Sequence, residues 1–245
     1  MMDAVKAYIQ ETIEEAVKPF REYIREPIIG YASAHDPLYD EVDRRIGHSQ
    51  LHPTDLLPTA QTVVVFFLPH SLAVVKALRQ GKNIVQAWST NYTVLNDLLA
   101  TINEQLQRGL AAQFHIQSAV EPPTNNYDDV KLTAKWAHKT SAVIAGIGTF
   151  GMNRLLITKA GCTGRLNSII IDRKLEPTKR PAASYCLYYK TGKCAYCAEH
   201  CPSGAITKCG FNRFRCNAYL DGKNIRDCEQ GCGMCSSGPC ATRGF

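Results

Sequence analysis

Cys194-Ala-Tyr-Cys197-Ala-Glu-His-Cys201-Pro-Ser-Gly-Ala-Ile206 decides the reading of this chain. Its kernel is Cys-x2-Cys-x3-Cys-Pro-x-Gly-Ala-Ile, three thiols in a short loop and then a proline that turns the chain away. An iron–sulfur cubane needs thiolates from several directions around one small body, so its ligands come from a tight loop plus a remote cysteine. The remote candidates are at hand. The chain has 11 cysteines in 245 residues, and only Cys162 lies outside the last 60. That break in composition places a domain boundary near residue 180, at Pro177 to Pro181, dividing the chain into 1–180 and 181–245.

The cysteine before proline in such a kernel ligates the second of two clusters. This crossing rule assigns one [4Fe–4S] cluster to Cys186, Cys194, Cys197 and Cys240, and the other to Cys201, Cys216, Cys232 and Cys235. The simplest bacterial pattern has a cysteine where Thr191 stands, so Cys186 must reach its cluster through the longer loop Leu187 to Lys193. Cys209 and Cys228 are left over, and either could replace Cys216. Two other chemistries use cysteine. Disulfides belong to oxidising compartments, and the N-terminus shows no signal peptide. Structural zinc takes four ligands in two pairs, not ten cysteines around a Cys-Pro-x-Gly-Ala-Ile kernel.

The net charge of +6 falls to about +2 with two clusters of charge −2 each, which is no argument for nucleic acid. The longest apolar run, Val63 to Leu68, is too short to span a bilayer. A soluble, cytoplasmic protein that does not bind membranes is expected.

Ahead of the cysteines, Val5, Tyr8, Ile9, Ile13 and Val17 repeat at helical spacing and predict an amphipathic helix over 3–18. The polar stretch with Gly30, Ala34, Asp36 and Pro37 suggests a loop. Thr62 to Leu68 is a continuous β-branched and aromatic run, a strand buried on both faces. Asn91 to Leu110 carries a helical apolar stripe with Asn91 or Thr93 as its cap. A strand is expected over Phe114 to Val120 and a helix over Val130 to Ala145. Leu155 to Thr158 and Leu166 to Asp172 read as two strands paired around a glycine-containing turn. Mixed order of this kind points to an α+β protein with an α/β N-terminal domain.

Gly146-Ile-Gly148-Thr-Phe150-Gly151 matches the dinucleotide G-x-G-x-x-G letter for letter. That fingerprint needs a strand before it and a helix after it, and the pattern here is the reverse. The glycines permit positive φ and a close approach of backbone to another body, either a neighbouring segment or a planar cofactor.

Ala145 to Thr158, Lys193 to Pro202, Arg215 to Leu220 and Leu57 to Val65 together resemble the signatures of epoxyqueuosine reductase-like iron–sulfur proteins, over roughly residues 30–240. The resemblance implies a nitroreductase-like α/β domain followed by a two-cluster ferredoxin-like domain, as in the related reductive dehalogenases. It implies a cobalamin held between the two, fed with single electrons by the clusters, and an electron donor such as a ferredoxin or flavodoxin. Gly146, Gly148, Phe150, Gly151 and Asn153 would then line the cofactor cavity. The full-length tRNA enzymes carry a C-terminal helical-repeat region, whereas this chain stops at Phe245; that counts against tRNA and leaves a small-molecule substrate. Fold analogy adds a homodimer. Flavin also suits such a domain, but no arginine cluster for its phosphate is evident.

The family's acidic proton donor would fall at Leu132, with Asp128 and Asp129 just before it. His138 is the candidate catalytic residue, because an imidazole donates protons near neutral pH or ligates a metal; the competing reading is a buried histidine bonded to a backbone carbonyl. Tyr127, Trp136 and Phe150 either stack on a macrocycle or belong to the core. Cys162 is either a low-pKa thiol or a small buried hydrophobe. The competing function, from a different class, is an electron carrier with no second cofactor.

Overall fold

The computed structural model describes residues 2–46, 50–80, 84–122, 127–222 and 232–245. Its centre is strand β2 (Thr62–Pro69), every residue of which is buried. β1 (Ile28–Ser33) lies antiparallel on one side of it and β8 (Gly164–Ile171) on the other, with Thr62 opposite Ile171 and Pro69 opposite Gly164. β3 (Ser118–Ala119) closes the order β1-β2-β8-β3.

Both sheet faces are covered, which is why β2 shows no polar alternation. Val64, Phe66, Leu68, Ile169 and Ile171 pack on one face against helices α1 (Met2–Val17) and α5 (Ile84–Phe114). Helix α1 offers Val5, Ile9, Ile13 and Val17, one residue per turn. Val63, Val65, Phe67 and Ile170 pack on the other face with Trp136, Ala142 and Ile144. Helices α2 (Pro37–Ile46), α3 (Pro53–Leu56) and α4 (Leu72–Gln80) complete the part before α5. The chain is therefore α+β. Among the described residues no helix is long and apolar enough to cross a membrane.

Several expectations are corrected. Residues 28–33 form strand β1 rather than a loop. Gly30 belongs in it because a Cβ there would lie 2.6 Å from the Ala145 carbonyl oxygen. Helix α5 starts well before Asn91, whose side chain bonds His70 instead of capping. Phe114 ends that helix, His115 turns at φ 53°, and only Ser118–Ala119 is extended. The expected helix over Val130 to Ala145 is a hairpin, β4 (Tyr127–Asp128) and β5 (Thr133–Ala134), followed by the short α6 (His138–Ile144). Asp128 accepts the Val130 and Lys131 N–H groups, and Leu132 sits at φ 54°, so the turn is fixed before a helix can begin. Leu155 to Thr158 does not pair with Leu166 to Asp172. β7 (Leu156–Thr158) pairs instead with β6 (Gly148–Phe150), so half of the glycine motif is itself a strand.

Among the described residues, the cysteine-rich part holds short elements: α7 (Leu187–Thr191), α8 (Tyr196–Glu199), the hairpin β9 (Ile206–Thr207) and β10 (Gly210–Phe211), and α9 (Arg213–Gly222). Its last stretch is stitched to the sheet end. The Arg25 guanidinium donates to the carbonyls of His70, Ala160 and Thr242, and Arg79 donates to those of Ser237 and Gly238.

Candidate metal centre

Cys186 precedes α7, Cys194 and Cys197 flank the start of α8, and Cys240 lies in a 3₁₀ turn, Pro239–Ala241. Together with Cys235 these cysteines line one narrow, mostly apolar cavity, closed by Met152, Asn153, Ile157 and Tyr196. Burial first, then Cys240, Cys186 and Cys194, push the Cys197 thiol up to about 12. Cys201, Cys216, Cys232 and Cys235 form a second neighbourhood. Burial raises the Cys216 thiol, with Cys232 and Cys201 adding to it. Burial also brings Cys235 to about 12, reinforced chiefly by Cys232 and Cys216. Cys201 is the opposite case: burial pushes its thiol up, but the Ser203 hydroxyl and the N–H groups of Ile206, Ala205 and Ser203 outweigh it and hold the pKa down.

Thiols that raise one another in this way stay protonated when no cation is near, and a cation bound among them would favour the thiolates instead. Among the described residues no group of three or more His, Cys, Asp or Glu is placed to hold a metal ion. The donor set in each neighbourhood is all thiol, as a cubane requires. Cys209 is exposed and outside both neighbourhoods. Cys228 lies outside the described residues.

Spacing alone did not place Cys162. It is buried, its Sγ is 3.7 Å from Cys240 Sγ, and its N–H donates to the Cys240 carbonyl at 2.9 Å. The Cys240 thiol and burial hold its own thiol well above the ordinary range, so it is no low-pKa nucleophile. The signal missed in the sequence is the Gly161–Thr163 segment, which the fold lays against Ser236 to Ala241. Gly161, at φ 94°, is forced by that approach: a Cβ would sit 2.4 Å from the Ala241 carbonyl oxygen.

The glycine turn meets protein. A Cβ on Gly148 would lie 2.4 Å from the Ile157 carbonyl oxygen, and one on Gly151 would lie 2.7 Å from Ile157 Cδ1. Gly146, at φ 74°, closes on the carbonyls of Thr178 and Lys179. Phe150 is half-buried in β6. Asn153 alone of the five reaches the cysteines, donating from Nδ2 to the Cys235 carbonyl at 2.8 Å.

His138 is buried, with Nδ1 2.9 Å from Ser168 Oγ and Nε2 3.2 Å from the Pro122 carbonyl oxygen. Burial lowers its pKa to about 4, against the opposing effect of that carbonyl. Both nitrogens are engaged inside the protein. Trp136 is core: it stacks on Tyr39 and donates to Ser168 Oγ at 2.9 Å. Tyr127 is exposed on β4.

No family model and no curated protein matches the chain. Solved structures do. Epoxyqueuosine reductase from Streptococcus thermophilus superposes with a TM-score of 0.59 at 22% identity, over 96% of this chain and 65% of that one. An epoxyqueuosine reductase solved with an epoxyqueuosine-modified tRNA-Tyr stem loop gives 0.60 at 21% identity, over 98% and 67%. A reductive dehalogenase, whose structure suggests a mechanism for B12-dependent dehalogenation, gives 0.57 at 13% identity, over 78% and 26%. The chain thus spans about two thirds of the length of the first two. At these identities the likeness establishes the fold, and the chain has the fold of epoxyqueuosine reductases and, more distantly, of reductive dehalogenases.

Proposed function

We propose that this chain is an iron–sulfur oxidoreductase that carries two [4Fe–4S] clusters in a ferredoxin-like part running from about residue 181 to 245. Cys186, Cys194, Cys197 and Cys240 would hold one cluster, and Cys201, Cys216, Cys232 and Cys235 the other. The single observation that carries this reading is the cavity into which Cys186, the Cys194–Cys197 loop and Cys240 converge from three separate places in the chain. Such clusters supply one-electron transfer at low potential. The residues around them do the rest. Met152, Ile157 and Ile206 keep water from the thiols, N–H groups from Ser203 to Ile206 stabilise negative charge on Cys201, and Asn153 ties the Cys235 loop to the α+β body. The reductases that share the fold support an oxidoreductase over a passive metal store.

Paired ligand variants test the assignment. Cys197→Ser and Cys216→Ser, purified and reconstituted anaerobically, should each keep about four of about eight irons, with different surviving electron paramagnetic resonance signals. Identical residual signals, or full iron content in Cys216→Ser, would contradict it.

A second reading, an electron carrier with no further cofactor, is favoured by the glycine turn, which packs on Ile157, Thr178 and Lys179. The first reading adds a corrinoid as the electron acceptor, on the strength of the B12-dependent dehalogenase that shares the fold. Uptake of stoichiometric cobalamin by the reconstituted protein decides between them. Because one structure of the same fold holds a tRNA stem loop, such a stem loop belongs in the substrate screen beside small molecules.

A further inference from the structure

The side of the cysteine-rich part that carries Cys201 and Cys216 has an unusual surface. From Thr207 to Arg215 the chain reads Thr-Lys-Cys-Gly-Phe-Asn-Arg-Phe-Arg, with no acidic residue. Phe214 is 55% and Phe211 39% exposed, although both are large and apolar. Lys208 and Arg215 are exposed beside them, and the Arg213 guanidinium lies 5.2 Å from the Phe214 ring centre. Helix α9 buries none of its residues. Exposed aromatics flanked by cations, with no covering element among the described residues, mark an interaction surface.

The position of this surface matters as much as its composition. Cys201 begins the loop that leads into β9, and Cys216 sits one turn into α9, its N–H bonded to the Asn212 carbonyl at 3.2 Å. Cys186 and Cys162, by contrast, are buried. Two of the thiols assigned to the second cluster, Cys201 and Cys216, therefore flank this surface in sequence and are only half-buried.

We propose that the β9–β10 hairpin and the first turn of α9 are the docking surface for a small acidic electron-carrier protein, which delivers single electrons to the cluster held by Cys201, Cys216, Cys232 and Cys235. The inference rests on the two-cluster reading. In each encounter the carrier loses one electron and the cluster gains it, with no bond made or broken. Charge complementarity selects the partner: Lys208, Arg213 and Arg215 steer an acidic face, and the two phenylalanines supply the small apolar centre typical of transient redox encounters.

The test uses the full chain with its clusters reconstituted, and an acidic [2Fe–2S] ferredoxin as the probe. Stopped-flow bleaching follows reduction by the reduced ferredoxin, and dithionite serves as a partner-independent control. In Lys208→Glu/Phe214→Ala/Arg215→Glu the ferredoxin rate at low salt should fall at least about tenfold and lose its salt dependence. Iron content and the dithionite rate should stay at the wild-type values. The charge-neutral pair Lys208→Gln/Arg215→Gln should fall less, in the same direction. Ferredoxin affinity, read by fluorescence anisotropy, should weaken in parallel. Wild-type rate and affinity in the triple variant, with clusters intact, overturn the docking surface and leave the cluster reading standing. Unchanged ferredoxin kinetics with lost affinity for a tRNA stem loop overturn it in favour of a nucleic-acid surface. A wild-type chain that takes up no iron overturns both.

Discussion

The Asn153 side-chain amide donates to the main-chain carbonyl of Cys235 at 2.8 Å, across 82 positions of sequence. Its Oδ1 accepts the Leu155 N–H at 3.1 Å, and its Nδ2 also lies 3.9 Å from Cys162 Sγ. One amide thus fastens the end of the glycine motif to the cysteine loop. Asn153→Ala leaves a buried carbonyl and an N–H unpaired, a loss of about 1–3 kcal/mol. Asn153→Asp sets a carboxylate against the carbonyl and should be worse. Thermal unfolding of the cluster-loaded protein, with iron retention measured in parallel, checks the order wild type, Ala, Asp.

Gly161 provides a second fastening. A side chain there is strained at φ 94° and meets the Ala241 carbonyl. The same approach carries the bonds from Cys162 and Thr163 N–H to the carbonyls of Cys240 and Ala241. Gly161→Ala should destabilise the protein by about 1–3 kcal/mol from backbone strain and loosen Cys240 in particular. Cys240 alkylation rates in the iron-free protein should rise, whereas those of exposed Cys209 should not change.

Arg25 donates to three carbonyls, of which that of Ala160 is at 2.7 Å and that of Thr242 at 3.3 Å. Arg25→Ala removes a charged donor from all three, about 2–3 kcal/mol. Amide exchange should quicken in residues 240–245 more than in β2. Equal quickening everywhere would mean that Arg25 serves the whole fold rather than the C-terminal stretch.

Two buried histidines set the acid limb of stability. Burial, then Arg165 and Arg25, lower His70 to about 3, and burial lowers His138 to about 4. Both are neutral in the folded chain, whereas the unfolded chain takes up protons near the ordinary pKa of 6.5. Their contribution is complete above about pH 6.5 and is lost as pH falls from there towards 4, on the order of 3 kcal/mol for His138. Denaturant titrations of the iron-free protein between pH 7 and 4.5 should show this decline. In His138→Gln the decline should be shallower, and at pH 7 the variant should be less stable because one of the bonds to Ser168 or Pro122 is lost.

How far the sequence could be read follows from where each signal resides. β2 and α1 were legible because their apolar patterns are local and long. The kernel Cys194 to Cys201 could be read because its spacing is local, whereas the partition of the eight cysteines is a proposal, since Cys235 lines the same cavity as Cys186, Cys194, Cys197 and Cys240. The helix expected over Val130 to Ala145 failed because its apolar residues fit a helix while the Asp128 turn and the positive φ of Leu132 forbid one before His138. The glycine motif was ambiguous by nature, since glycine reports close approach without naming the neighbour, and only the fold identifies Ile157 and Lys179. Cys162 was unreadable because its partner Cys240 lies 78 residues away.

The central claim is the pair of clusters, and the direct measurement is iron, sulfide, cobalt and zinc per chain in anaerobically purified protein, with an absorption spectrum. The account predicts about eight iron and eight sulfide per chain and a broad cluster absorption that bleaches on reduction. Stoichiometric zinc with no iron, and none taken up on reconstitution, would contradict it.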